Sequence, residues 1–243
     1  MATILALDTA TERLSAALAR DGRVVDALTD AEPNQHTEKL ISVIDAILQR
    51  NALALSELDA VAFGAGPGAF TGLRVACGVA QGLGWAAGKP LLCVSNLEAT
   101  ARHAAAAGFV GRLLAAHDAR MHECYAAVFE IGPAAPGVPA GLNAVKTLAA
   151  AQLVKPSMLG ALAREHAVEA AAGGALEVYG GEIVLDAGVR RLAPFDTTAS
   201  DIALGGMALW EAGGAVRPEE AAPLYVRNRV ALTIKERAAG ERL

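Results

Sequence analysis

Aromatic residues are scarce: two Trp, three Tyr and five Phe make up 4% of 243 residues. A core of large interdigitating rings is therefore excluded, and Ala, Leu, Val and Gly must fill the interior by close backbone approach. Cysteine is scarce too. Cys77, Cys93 and Cys124 are odd in number and scattered without metal-ligand spacing, which suits a reducing compartment and a cytoplasmic protein. Long apolar runs are missing: the longest uncharged stretch of helical character, Val75 to Gly88, is well short of the roughly 20 residues a bilayer needs. No membrane span is expected despite a mean hydropathy of +0.35. The opening Met-Ala-Thr-Ile-Leu-Ala-Leu-Asp lacks a basic n-region and meets an acid at Asp8, so it does not read as a signal peptide. Positive charge is in deficit as well. A net charge of -5 and a pI near 5.6 argue against a chain-wide basic surface for nucleic acid, leaving room for a local patch or a basic partner.

What is present is apolar: 53% hydrophobic against 19% charged residues. That composition excludes intrinsic disorder, and the length suits one large domain or two small ones. Ile4–Leu7, Leu14–Leu18 and Val24–Ala27 read as strands, with Asp21-Gly22 as a tight hairpin turn. Leu40, Ile41, Ile44, Ile47 and Leu48 recur at helical spacing within His36–Arg50, with Asn34 available as a cap. A strand at Leu58–Phe63, a glycine loop at Gly64–Gly72, a helix at Leu73–Ala87, a strand at Pro90–Ser95 and an Ala-rich helix from Asn96 complete a βββαβαβα order. Leu113 to Asp118 then echoes Ile4 to Asp8, with Cys124–Glu130 as its returning strand, so an internal duplication is expected. Further on, Val145–Val154 and Met158–Ala172 read as helices, Leu176–Tyr179 and Ile183–Leu185 as strands, Thr198–Ala212 as a helix with Asp201 in its first turn, and Pro223–Val226 as β-like.

The segment Phe63-Gly-Ala-Gly-Pro-Gly-Ala-Phe-Thr-Gly-Leu-Arg74 formally contains Gly-x-Gly-x-x-Ala between a strand and a helix. A dinucleotide site would also need an acid about 20 residues later, and none occurs between Asp59 and Glu98. A Walker loop fails too, because Gly88-Lys89 runs into Pro90. Such a loop can still gather backbone N–H groups and a helix N-terminus around an anion; the competing reading is a tight strand-to-helix connection. Asp8, Thr9 and Thr11, at the first hairpin tip, either bind a metal-phosphate group or form an ordinary polar turn. The next helix carries Gly78, Gly82 and Ala86 on one ridge and Ala76, Ala80 and Gly84 on the next. Interior glycines cost about 0.8–1.0 kcal/mol each relative to Ala, so another backbone, in the same chain or in a partner, is expected against that helix. The five histidines show no His-x-x-x-His spacing, and no Gly-x-Ser-x-Gly elbow is present.

Five segments resemble the TsaB (YeaZ) family of bacterial tRNA threonylcarbamoyladenosine biosynthesis proteins: Ile4-Leu-Ala-Leu-Asp-Thr-Ala, His36-Thr-Glu-Lys-Leu, Gly66-Pro-Gly-Ala-Phe-Thr-Gly-Leu-Arg74, Val94-Ser-Asn-Leu-Glu98 and Pro223-Leu-Tyr-Val-Arg227. The resemblance implies an α/β fold of the actin, sugar-kinase and heat-shock (ASKHA) type, with two βββαβαβα lobes, the second reduced. The expected divisions are 1–108, 109–217 and a tail at 218–243 that docks back on the lobes.

In the catalytic relative TsaD a Val-Asn-His-x-Glu-Gly-His segment holds a metal. Its two histidines fall on Asn96 and Thr100 here, and an amide and a hydroxyl bind a transition metal poorly. The resemblance thus implies a non-catalytic scaffold with no cofactor of its own, ATP and metal residing on partner subunits. The partners implied are TsaD and the ATPase TsaE, a second copy of the chain when TsaD is absent, and tRNA through the complex. Asp8, Thr9, Thr11, Gly66, Pro67 and Gly68 become a vestigial phosphate loop. His36, Lys39, Leu40, Val43, Ile47, Phe70, Arg74, Val75, Gly78, Val79 and Gly82 become the partner surface. The competing reading is an autonomous ATP-dependent kinase or transferase built on the glycine loop. A peptidase has no nucleophile-base pair to support it. The basic residues Arg227, Arg229, Lys235 and Arg237 read as a solvated tail rather than a tRNA patch.

Overall fold

The structure, a computed structural model, describes residues 2–11, 13–30, 36–139 and 141–227, with the side chains of 36–38 excepted. Strands β1 (Thr3–Asp8), β2 (Leu14–Arg20) and β3 (Arg23–Asp30) form an antiparallel meander. Its hairpin turns on Asp21 and Gly22, both left-handed at φ 54° and 80°, the turn whose twist matches that of the strands it joins. Helix α1 (His36–Arg50) leads to β4 (Ala60–Gly66), then α2 (Phe70–Ala87) and β5 (Leu91–Ser95). The sheet order is β3-β2-β1-β4-β5, with β4 and β5 parallel to β1. Helix α3 (Asn96–Ala106) follows, its N-terminus capped by Ser95.

The second sheet repeats this plan. It comprises β6 (Gly111–Asp118), β7 (Cys124–Ile131) and β8 (Val145–Val154), then α4 (Leu159–Glu165), β9 (Ala170–Ala172), α5 (Ala175–Val178) and β10 (Arg190–Arg191). Its order, β10-β9-β6-β7-β8, again sets two parallel strands beside an antiparallel trio. Helix α6 (Ala199–Glu211) closes the series, with Thr198 and Asp201 forming a capping box.

Alternation along β1 explains the layering. Leu5 and Leu7 face a core with Phe63 and Leu40 under α1 and α2, while Ile4 and Ala6 face a core with Ile202 and Met207 of α6. In the second sheet Leu113 and Ala115 pack with Leu97 and Ala101 of α3, and Leu114 and Ala116 with Leu159 and Leu162 of α4. The two inner helices touch, joined by His103 Nδ1 and Asp201 Oδ1 at 3.0 Å. Although α6 lies in the 109–217 stretch, it therefore packs on the first sheet.

Several expectations for the second half are corrected. Val145–Val154, read as a helix, is strand β8: its Ala-rich run has helical propensity, but pairing with β7 from Ile131↔Val145 to Cys124↔Val154 overrides it. Met158–Ala172 is not one helix. α4 stops at Glu165, Ala167 turns left-handed at φ 49°, and Ala170–Ala172 enters the sheet between β6 and β10. Leu176–Tyr179, read as a strand, lies largely in the short helix α5, and Ile183–Leu185 has no regular structure. Pro223–Val226 forms no strand, although Leu224 N donates to Ala65 O at 2.6 Å. Asn34, Arg229, Lys235 and Arg237 lie outside the described residues, as does the side chain of His36.

Candidate functional site

Two places gather the residues singled out from the sequence. The first is the junction of β1, the glycine loop and α3. Asp8 is 1% exposed at the end of β1, and its Oδ1 accepts from Ala10 N at 3.2 Å and from Asn96 Nδ2 at 3.1 Å. Oδ2 is buried with no hydrogen-bond partner among the described residues. Burial pushes the Asp8 carboxyl up to about 6, against the opposing hydrogen bonds from Asn96 and Ala10, with the Asp201 charge adding to the rise.

Asn96 uses its amide on both sides, since its Oδ1 also accepts from Gly66 N at 2.8 Å. One helical turn on, Thr100 Oγ1 donates to Asn96 O at 3.3 Å and lies 2.7 Å from His117 Nε2 on β6. The shorter of these contacts ties α3 to β6, with the Thr100 hydroxyl able to accept from Nε2–H or donate to a bare Nε2. Burial holds that imidazole down at about 4, so it is neutral near pH 7. Asn96 and Thr100, expected at the positions of the relative's metal-binding histidines, serve a hydrogen-bonded brace running from β1 to β6. Their donor set does not fit a transition metal.

The glycine loop is sewn into the same brace. Ala69 N donates to Ala10 O at 2.9 Å, and Thr9 Oγ1 donates to Gly72 O at 2.7 Å. A Cβ on Gly72 would fall on the Thr9 carbonyl, and one on Gly68 would come within 2.8 Å of Ala10. Thr9, Gly66, Pro67 and Gly68 are therefore packed against their neighbours, and the N–H groups of Gly66 and Ala69 are already satisfied. Thr11 is apart from this set, its hydroxyl bonding Arg13 O at 3.3 Å.

The second place is the outer face of α1 and α2. Leu40 and Ile47, expected on a partner surface, are 0% exposed in the first core and have no surface to offer; that expectation is corrected. Val43, Val75 and Val79 are partly buried against the same core. Lys39 pairs with Asp30 at 3.1 Å. Gly78 and Gly82 face outward, and a Cβ at either would meet nothing within 4 Å among the described residues. They lie on one exposed stripe with Arg74 and Trp85. At one end Arg74 sits 3.7 Å from the centre of the Phe70 ring and donates from Nε to Tyr225 Oη at 3.0 Å. At the other, Trp85 is 67% exposed, and on α1 Ile41 is 52% exposed. Beside Ile41 an open groove of ≈ 600 Å³ runs between Leu48, Leu53, Leu55 and Leu83. Trp85, Ile41 and Tyr225 were missed from the sequence. Helical spacing from Arg74 through Gly78 and Gly82 pointed to Trp85, whereas nothing local pointed to Tyr225.

Among the described residues, no group of three or more His, Cys, Asp or Glu side chains could hold a metal ion, and no helix is long and apolar enough to cross a membrane. Arg227 is not a solvated charge: its guanidinium reaches Glu123 Oε2 at 2.8 Å.

Two mixed sheets of matching order with helices between them define an α/β protein of the ASKHA class. The crystal structure of an Arthrobacter polyphosphate/ATP-glucomannokinase shares this fold at a TM-score of 0.50 and 12% identity, over 87% of this chain and 100% of that one. A model of the family described as "TsaD: tRNA N6-adenosine threonylcarbamoyltransferase" matches residues 30–159. YeaZ from Pseudomonas aeruginosa superposes with a TM-score of 0.80 at 32% identity, over 93% of this chain and 100% of that one. The Haemophilus influenzae tRNA threonylcarbamoyladenosine biosynthesis protein TsaB is 44% identical over 123 residues, 51% of this chain and 52% of that protein. The chain belongs to the TsaB (YeaZ) family. By these sequence matches it spans about half the length of the curated relatives, 52% and 54% for those of H. influenzae and Escherichia coli.

Proposed function

We propose that this chain acts in the biosynthesis of threonylcarbamoyladenosine beside the anticodon of tRNAs, as a scaffold subunit without catalytic chemistry of its own. It docks TsaD through the outer face of α1 and α2, works with the ATPase TsaE, and meets tRNA only through that complex, in the cytoplasm. A second copy occupies the same face when TsaD is absent. ATP and metal belong to the partner subunits.

The observation that carries this reading is the α2 stripe. Two interior glycines at about 0.8–1.0 kcal/mol each are unexplained by the described residues, since a Cβ at either would meet nothing among them within 4 Å. A partner helix pressed against that stripe explains both, and Trp85 on the same helix and Ile41 on α1 add exposed apolar surface. The occupied amide of Asn96 supports the absence of catalysis. Co-purification with TsaD tests the reading: Gly78→Leu and Gly82→Leu are expected to remain folded and lose the complex. Undiminished complex yield from both variants rejects the docking face.

A further inference from the structure

The segment 218–227 runs across the first lobe and ends on the second. Gln81 Nε2 donates to the carbonyls of Pro218 and Ala221, both at 3.1 Å. Leu224 N then donates to Ala65 O, and Leu224 O lies so near the glycine loop that a Cβ on Gly66 would approach it to 2.9 Å. Tyr225 closes on Phe70 and Arg74, with ring centroids 5.8 Å apart. Two residues later the chain reaches the β6–β7 turn. There Arg227 Nη2 meets Glu123 Oε2 at 2.8 Å, Ala119 O at 3.0 Å and Arg120 O at 3.4 Å, and Nη1 lies 3.4 Å from Met121 Sδ.

That turn is unusual in itself. Arg120, Met121 and His122 are consecutive and left-handed, at φ 60°, 54° and 60°, with no glycine among them. Left-handed backbone costs an L-residue roughly 1–2 kcal/mol, and such strain persists only where the surroundings over-determine it. Here Arg120 N is held by Asp118 Oδ1 at 2.8 Å, and the pair Ala119 N→Glu123 O and Glu123 N→Arg120 O closes the loop at 2.9 and 3.1 Å. The result turns two backbone carbonyls and a carboxylate toward one point, where Nη2 of Arg227 meets all three.

We propose that residues 218–227 form a strap, that Arg227 is its latch, and that the strained β6–β7 turn is the receptor for that latch. Closure ties the two lobes and lays the Leu224 carbonyl over the glycine loop, so that anything approaching Gly66 from that side must first displace the strap. The latch is one residue, 11% exposed in its side chain, and it lies in the other lobe from the face where Tyr225 sits. The device is a property of the isolated chain and stands whether or not α2 has a partner.

Hydrogen–deuterium exchange on the full chain tests it, comparing wild type with Arg227→Ala and Arg227→Lys. The alanine variant is expected to accelerate exchange at least tenfold in peptides covering 221–226 and in the 119–123 turn, with β1, β2 and β7 unchanged. The lysine variant is expected to fall between, because an ammonium keeps the attraction to Glu123 but sits one bond short of the position of Nη2, which meets both carbonyls. Unchanged exchange in 221–226 in both variants overturns the proposal, because the strap would then be held by the first lobe alone. Uniform acceleration across both lobes overturns it as well, because Arg227 would then serve overall stability rather than a latch.

Discussion

The two sheets have the same order, yet their helices have diverged. Between the third and fourth strands the first lobe carries the 15-residue α1 and the second the 7-residue α4. Between the fourth and fifth strands the contrast is 18 residues against 4, and the fifth strand itself shrinks from five residues to two. The reduced lobe retains enough helix to cover its sheet, with Leu159, Leu162 and Leu176 in its core. The full lobe has helix to spare, and the surplus is an outward face. The inner side of α2 is packed to backbone contact at Gly72, and its outer side is open at Gly78 and Gly82. Glycines in one helix thus differ in surroundings: Gly72 meets backbone of its own chain, whereas Gly78 and Gly82 face open space among the described residues.

The sharpest way to break that contrast is Gly72→Ala. Its Cβ would displace the Thr9 carbonyl, so the variant is expected to lose about 3 kcal/mol or more in urea denaturation, whereas a near-neutral result would mean that the loop is not tightly packed. Next come the flanks of the outer face. Trp85→Ala and Ile41→Asp are each expected to weaken TsaD binding roughly 30-fold in titration calorimetry, the loss expected of an interface hot spot, with folding intact.

The brace joining the lobes gives a pH signature. Between 3.8 and about 6 the folded chain holds a proton on Asp8 that the unfolded chain has released, so this contribution falls as pH rises and is gone above about 6. His117 acts in the opposite sense. It is neutral when folded down to about 4 but titrates at 6.5 when unfolded, so its contribution is present above 6.5 and lost as pH falls. The two nearly cancel in wild type. Asp8→Asn removes one, and stability is expected to drop by about 2 kcal/mol from pH 6.5 to pH 4, after allowance for the residual solvent contact of the ring. A flat urea-midpoint profile for this variant would contradict the assignment. The smallest effect belongs to Gly82→Ala, an exposed helix position expected to gain about 0.5–1 kcal/mol by thermal denaturation.

How much of this was legible in the sequence depends on where each element finds its partners. The first lobe was readable because its signals are local: Asp21-Gly22 dictates a turn, and Leu40, Ile44 and Ile47 dictate a helical stripe. The strand Val145–Val154 was not, because its Ala-rich composition favours helix and only pairing with β7 makes it a strand. Of the expected partner surface, Leu40 and Ile47 were misassigned because an amphipathic helix has one apolar stripe, and the core took it. Gly78 and Gly82 were assigned to a close neighbour that the described residues do not provide. The brace from Asp8 through Asn96 and Thr100 to His117 joins three elements far apart in sequence, and no local pattern announces it. Nor does any glycine mark the left-handed turn at Arg120–His122.

The most direct test is reconstitution of tRNA modification from purified TsaD, TsaE and this chain, with the chain supplied, omitted or alone. The account predicts threonylcarbamoyladenosine only when chain and partners are combined, and none from the chain by itself. Modified tRNA produced by the chain alone, or undiminished yield when it is left out, would contradict it.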